Sequence, residues 1–95
     1  MLYLVSYDIP SSEEGDRRRN RLARFLQGVG LRIQNSVFEV ELPSEQLPFI
    51  ISQIRELIEV EEDNIRIYPL CARCRREVHR MGRMAPVEYG ATLIW

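Results

Sequence analysis

Lysine is missing from this 95-residue chain, and all thirteen of its basic residues are arginine. Arginine's planar fork suits two-point contact with phosphate. A GC-rich genome favours arginine codons as well, so composition alone leaves both explanations standing. No apolar run approaches the ~20 residues of a membrane-spanning helix, so no membrane partner is expected. The first residues lack the basic start of a signal peptide, and a cytoplasmic location is expected. The two cysteines do not make a disulfide-stapled secreted scaffold. There is one histidine, His79, in a basic stretch read as an exposed linker, and no Ser/His/Asp triad can be motivated around it. Neither a P-loop nor a GxGxxG loop occurs. A chain of this length buries one core, but not a core plus a deep cofactor pocket.

The net charge of −1 conceals strong segregation. Residues 17–32 carry six arginines and no acid, and residues 64–85 carry six more against Glu77. Between them, residues 39–63 carry eight acids against Arg55. Such blocks imply a polarised surface. Helices usually intersperse signs for i, i+4 support. The uncompensated group Arg17, Arg18, Arg19, Arg21 and Arg24 therefore points to an anionic partner such as a nucleic-acid backbone, with a plain solvated helix face as the simpler reading.

Hydrophobic spacing supplies the architecture. Leu2 to Tyr7 is a nearly continuous apolar run, as expected of a central strand covered on both sides. Asp16 is an expected N-cap for a helix closing at Gly28 or Gly30, with Leu22, Phe25, Leu26 and Val29 as its core stripe. Arg17, Arg21 and Arg24 then face away from the core. Arginines at a helix start oppose the macrodipole, which suggests an external reason for them. Leu31–Gln34 and Val37–Leu42 read as strands joined tightly through Asn35-Ser36, with Phe38, Val40 and Leu42 on one face. Pro43-Ser44 opens a second helix with Ile50, Ile51 and Ile54 on its apolar side, and Pro48 falls in its first turn. Asn64–Leu70 is the last core strand. The order strand–helix–strand–strand–helix–strand predicts an α+β fold of the ferredoxin-like βαββαβ type. One domain over 1–95 is expected, with a core at 1–70, a linker from Cys71 to Gly90, and an extra C-terminal strand at 91–95. That orphan strand, Ala91, Thr92, Leu93 and Ile94 with Trp95, needs a sheet edge. Its own sheet or a second copy's could supply one, and exchange into a homodimer is a low-cost solution.

Asp8 is the candidate for chemistry, since it stands at a strand's end where a sheet opens onto a loop. It can serve as a turn residue. It can also bind a hard cation, because Mg²⁺ accepts one or two carboxylates plus water and substrate phosphate. A twofold axis nearby would supply a second Asp8. Cys71-Ala72-Arg73-Cys74 forms a CxxC with only His79 near as a third ligand, too few for structural zinc. It also lacks the thioredoxin-like setting of a redox pair.

Four ordered segments resemble the CRISPR-associated Cas-two family: Tyr7-Asp8-Ile9-Pro10, the Arg-rich stretch Asp16 to Arg19, Gly30 to Glu39, and Ile65 to Cys71. The resemblance covers essentially the whole chain. It implies a homodimer with facing sheets and exchange of the C-terminal strand, and Asp8 of each copy near the dimer axis, where the pair binds Mg²⁺. It further implies a metal-dependent endonuclease acting on RNA or double-stranded DNA, within spacer adaptation. The alternative it implies is a non-catalytic scaffold that holds double-stranded DNA while bridging dimers of the CRISPR integrase subunit.

Overall fold

The computed structural model describes residues 1–83. Strand β1 (Leu2–Asp8) leads into helix α1 (Glu13–Val29), followed by β2 (Leu31–Gln34) and β3 (Val37–Glu41). A 3₁₀ turn at Ser44–Gln46 then opens helix α2 (Leu47–Leu57), and β4 (Asn64–Leu70) and a short α3 (Ala72–Arg76) complete the series. The four strands form one sheet in the order β2-β3-β1-β4, each neighbour antiparallel. The apolar run at 2–7 is thus a central strand, as expected, but α1 and α2 cover only one of its faces, so the expected cover on both sides is not what these helices provide.

Alternation along the strands separates two faces. Tyr3, Val5 and Tyr7 of β1 and Phe38 and Val40 of β3 are buried on the helical face, together with Leu22 and Leu26 of α1 and Ile50 and Ile54 of α2. Phe38, Leu22 and Leu26 are fully excluded from solvent, each burial contributing about 1.5–3 kcal/mol. Tyr7 stacks on Phe38 at 6.3 Å between ring centroids and donates from its hydroxyl to the Asn35 carbonyl at 3.2 Å. The opposite face carries Leu4, Ser6 and Asp8 of β1 and Asn64, Arg66 and Tyr68 of β4, and neither α1 nor α2 packs on it. Residues after β4 reach back to β3 there, where Arg75 Nη1 meets Glu41 Oε2 at 2.7 Å. Glu39 beside it is 8% exposed. Burial pushes its carboxyl up, against the opposing pull of Arg80 and Arg75.

Two expectations need correction. Asp16 is not the N-cap of α1. Ser12 is extended and its hydroxyl accepts from the Gly15 N–H at 2.9 Å. Helix α1 therefore begins just over a turn earlier, and Glu13, Glu14 and Asp16 occupy its positive end. Arg17, Arg18 and Arg19 fall behind that acidic turn, so the conflict with the macrodipole is relieved. Gly15 permits the tight entry, because a Cβ there would strike the Pro10 carbonyl. The stretch from Cys71 is also not plain linker, since Ala72–Arg76 is helical. Pro48 does sit in the first turn of α2. The expected exchange strand, 91–95, lies outside the described residues. No helix among the described residues is long and apolar enough to cross a membrane.

Candidate active site

Asp8 is the last residue of β1 and is exposed on the open face. The strand is held on both sides up to that point. The Tyr7 N–H donates to the Ser36 carbonyl at 3.1 Å, and Asp8 itself lies opposite Asn64 of β4. Beyond it the chain turns under Arg19, whose Nη2 donates to the Ile9 carbonyl at 2.6 Å and the Pro10 carbonyl at 3.3 Å. Arg19 Nη1 meets Asp16 Oδ1 at 2.7 Å. The loop that follows the carboxylate is therefore pinned to α1.

Asp8 lines an open hollow of about 260 Å³ with Ser6, Tyr7, Asn64, Arg66 and Tyr68. The register explains the grouping, because Asp8 faces Asn64, Ser6 faces Arg66 and Leu4 faces Tyr68. Among the described residues, Asp8 has no ion pair. No three His, Cys, Asp or Glu side chains among them come together as a metal site. One chain thus offers a lone hard carboxylate with the Asn64 amide and Ser6 hydroxyl on neighbouring positions. Oxygen donors of this kind suit Mg²⁺, which keeps several waters and needs only one or two carboxylates. They do not suit a soft metal.

The five arginines of α1 divide. Arg17, Arg21 and Arg24 are exposed along one side, and the 3.3 Å pair of Arg17 with Glu13 is a solvent-exposed i, i+4 contact of small energetic worth. Arg18 is committed elsewhere. Its Nε donates to Asp63 Oδ2 at 2.8 Å and its Nη2 donates to Asp63 Oδ1 at 3.0 Å, with Glu62 Oε1 at 3.3 Å. The Asp63 side chain is fully covered, and it also accepts from the Glu59 N–H at 2.8 Å. Burial opposes its charge, yet the Arg18 fork and the Glu59 N–H hold its carboxyl below the ordinary range. Arg18 and Arg19 are thus internal struts, while Arg17, Arg21 and Arg24 point to solvent.

Cys71 caps α3, its Sγ accepting from the Cys74 N–H at 3.5 Å, and both cysteines are exposed. The Cys74 N–H and thiol draw Cys71 down, and the same thiol contact pushes Cys74 up. His79 joins no metal cluster with them among the described residues.

Sequence reasoning singled out Asp8 but not its neighbours. Asn64, Arg66 and Tyr68 become visible only when β4 is laid antiparallel to β1. Their signal is the alternation of exposed polar positions 64, 66 and 68 with the apolar Ile65 and Ile67.

Comparison with known proteins places this fold and hollow in context. The sequence model described as "CRISPR associated protein Cas2" matches residues 1–78. The chain is 40% identical over 89 residues to the CRISPR-associated endoribonuclease Cas2 1 of Chloroflexus aurantiacus, covering 93% of this chain and 91% of that protein. It superimposes on the crystal structure of Streptococcus pyogenes Cas2 at pH 6.5 with a TM-score of 0.77 and 31% identity, over 86% of this chain and all of the other. A chain of a partial Cas6-RT-Cas1–Cas2 complex matches with a TM-score of 0.63 and 34% identity, over 84% of this chain and 89% of that one. A small α+β fold with a four-stranded antiparallel sheet, matched over 86% of the chain by a solved Cas2 structure, and sequence similarity over 93% of it carry one conclusion: this chain belongs to the CRISPR-associated Cas2 family.

Proposed function

We propose that the chain is an endonuclease subunit of CRISPR spacer adaptation that cuts phosphodiester bonds at Asp8 with Mg²⁺. One observation carries the reading: an exposed carboxylate without an ion pair among the described residues ends a central strand, in a hollow on the face that α1 and α2 leave open. The endoribonuclease named among the relatives and the Cas1–Cas2 complex among the structural matches support the activity class and an integrase subunit as partner. RNA and double-stranded DNA both remain candidate substrates.

In this reading the chain is a single domain over 1–95 with a ferredoxin-like core at 1–70, located in the cytoplasm. Two copies pair through their open faces, residues Ala91 to Ile94 add to the partner's sheet, and the second Asp8 completes the ligand set. Asp8 holds the metal, with Asn64 and Ser6 as neighbouring oxygen donors. Mg²⁺, when bound, supplies Lewis acidity where charge develops on the phosphate oxygens. The chain's own part is to orient the carboxylate. The two-sided pairing of β1 fixes its backbone, and Arg19 fixes the loop behind it.

A second reading, a DNA-holding scaffold bridging integrase dimers, is favoured by Arg17, Arg21 and Arg24, exposed in a row on α1 away from the hollow. The test is a panel of single-stranded RNA and double-stranded DNA incubated with the purified protein, with Mg²⁺, Mn²⁺ or neither, across a broad pH range. The nuclease reading expects metal-dependent cuts that vanish in Asp8→Ala, with duplex binding and dimerisation retained. If the wild type cuts nothing, the scaffold reading stands.

A further inference from the structure

The turn that follows β4 carries chemistry that the Asp8 hollow does not use. Cys71 and Cys74 stand one turn apart at the start of α3, and both are exposed. Residues three apart at a helical turn have Cβ atoms about 5–6 Å from one another, and a disulfide needs Cα atoms about 4.4–6.8 Å apart. The two side chains already meet. The Cys71 Sγ accepts from the Cys74 N–H at 3.5 Å, and the thiols are in hydrogen-bond contact with each other. The Cys74 N–H and thiol draw Cys71 below the ordinary thiol value, and the same thiol contact pushes Cys74 above it. The thiolate is the attacking species in disulfide exchange. Cys71 is therefore the nucleophile of the pair, and Cys74 stands where it can attack the Cys71 sulfur.

Two thiols with no third ligand among the described residues do not make a zinc site, and this fold is not the setting of a disulfide oxidoreductase. A dithiol can still react with itself. The register places Leu70 against Leu2 and Asn64 against Asp8. The pair therefore stands about a strand's length from Asp8, roughly 20 Å, at the rim of the sheet and away from a twofold axis beside that carboxylate. What the pair holds is α3. The Arg75 N–H donates to the Cys71 carbonyl at 2.9 Å, and Arg75 Nη1 meets Glu41 Oε2 at 2.7 Å. The turn that a Cys71–Cys74 bond would close is the one from which Arg75 clasps β3.

We propose that Cys71 and Cys74 are a reversible dithiol–disulfide site whose closure locks α3 onto β3. The oxidant is a small disulfide such as glutathione disulfide. The Cys71 thiolate attacks one of its sulfurs, forming a mixed disulfide and releasing one glutathione thiolate. Cys74 then loses its proton to solvent and attacks the Cys71 Sγ, so the intrachain bond forms and the second glutathione thiolate leaves. Two electrons pass from the protein thiols to the oxidant, and the two protons given to solvent are balanced by those the glutathione thiolates take up. Exposed disulfides are the readily reduced ones, and in a cytoplasmic protein they are transient and sensing rather than structural. None of this depends on what Asp8 does.

The test equilibrates the full-length protein in glutathione buffers from fully reducing to fully oxidising, with an acid quench, thiol alkylation and mass spectrometry. The wild type should lose both alkylatable thiols together, with no lasting glutathione adduct, and dithiothreitol should restore them. Cys74→Ser should instead hold glutathione on Cys71. At neutral pH, iodoacetamide should modify Cys71 in that variant about tenfold faster than it modifies Cys74 in Cys71→Ser. Trypsin should cut after Arg73, Arg75 and Arg76 about tenfold more slowly in the oxidised protein than in the reduced one, since cutting requires the turn to open. The double variant Cys71→Ser, Cys74→Ser should be cut at the reduced rate in either buffer. Two free thiols surviving in glutathione disulfide alone would overturn the proposal, and so would thiols that a second copy shields from alkylation. A lasting glutathione adduct on the wild type, or a bond between two chains on a non-reducing gel, would overturn it as well. Equal cutting rates in oxidised and reduced wild type would overturn the locking of α3.

Discussion

Two acid–arginine sets in this molecule use the same chemistry toward opposite ends. On one side of the fold, Arg18 grips Asp63 through both arms of its fork, and the covered carboxylate takes a third bond from the Glu59 N–H. Every charge there is answered, across 45 residues of sequence, and the set ties α1 to the loop before β4. On the open face of the sheet, Asp8 and Arg66 stand on neighbouring strands and neither has an ion-pair partner among the described residues. Buried charge must be paired or it destabilises the fold. Exposed charge may remain unpaired, at some cost in local repulsion or lost pairing. The closed set is therefore read as architecture and the open set as a site waiting for ligands. Residue type alone does not distinguish them; the satisfaction of each charge does.

The contrast breaks first at Asp8. Replacing Asp8 with alanine should reduce metal-dependent cleavage by at least about 100-fold, as expected for losing an electrostatic group acting at the transition state. Circular dichroism of that variant should match the wild type, because no ion pair among the described residues is lost. Replacing Asp63 with alanine should do the opposite. It leaves the half-buried Arg18 without its fork partner and frees the Glu59 N–H, so the thermal midpoint should fall by about 5 °C or more. Cleavage per folded molecule should persist. Should Asp63→Ala melt like the wild type, the closed set would lose its structural role.

Acid provides a finer probe. Asp63 and Glu41 sit below their ordinary values, Asp63 through Arg18 and Glu59 against burial, Glu41 through its hydrogen bond from Arg75. Groups depressed in the folded state contribute stability that is fully present above the unfolded value and is lost as pH falls through the folded one. Denaturant midpoints should therefore hold steady from neutral pH down to about 5 and decline below about 4, near the unfolded carboxylate values. Glu39 works against this trend, since its value is raised by burial and its protonation in the folded state relieves a cost. Asp63→Asn should flatten the decline, and an unaltered acid limb in that variant would remove Asp63 from the linkage.

The α1 arginines sharpen the contrast further. Charge reversal at Arg21 and Arg24 should weaken duplex binding for all sequences alike and lower its salt slope by about one per lost contact. The effect at Arg18 should be on stability instead, visible in the melting curve. Smallest of all is the expected effect of replacing both Cys71 and Cys74 with serine. Zinc content and thermal midpoint should stay nearly unaltered, and stoichiometric zinc lost on that replacement would reveal a site built between copies.

Much of the fold was legible because it is written in local periodicity. Leu22 and Leu26 recur at helical spacing and are buried, and Phe38 and Val40 alternate and are buried. The end of β1 at Asp8 was legible because an apolar run stops there. The start of α1 was misread because Ser12 and Asp16 are both competent caps four residues apart. The Ser12 hydroxyl takes the Gly15 N–H, and the close approach of Gly15 to the Pro10 carbonyl in the entry loop leaves room for that earlier start. The placements of Arg18 and Arg66 were invisible for a related reason. Asp63 claims Arg18 from a distant segment, and Arg66 comes to line the same hollow as Asp8 only through a strand pairing that sequence spacing does not encode. Non-local partners decide whether a charged side chain is a strut or a ligand.

Titration of the purified protein with Mn²⁺, followed by the loss of free-ion electron paramagnetic resonance signal, tests most directly whether the open carboxylate is a cation site. Wild-type protein should take up one ion per pair of chains with the duplex absent, and Asp8→Ala should take up none while Asp63→Asn retains it. Undiminished Mn²⁺ uptake in Asp8→Ala would contradict the assignment of Asp8 as the ligand, and with it the distinction between the satisfied and the unsatisfied charge sets.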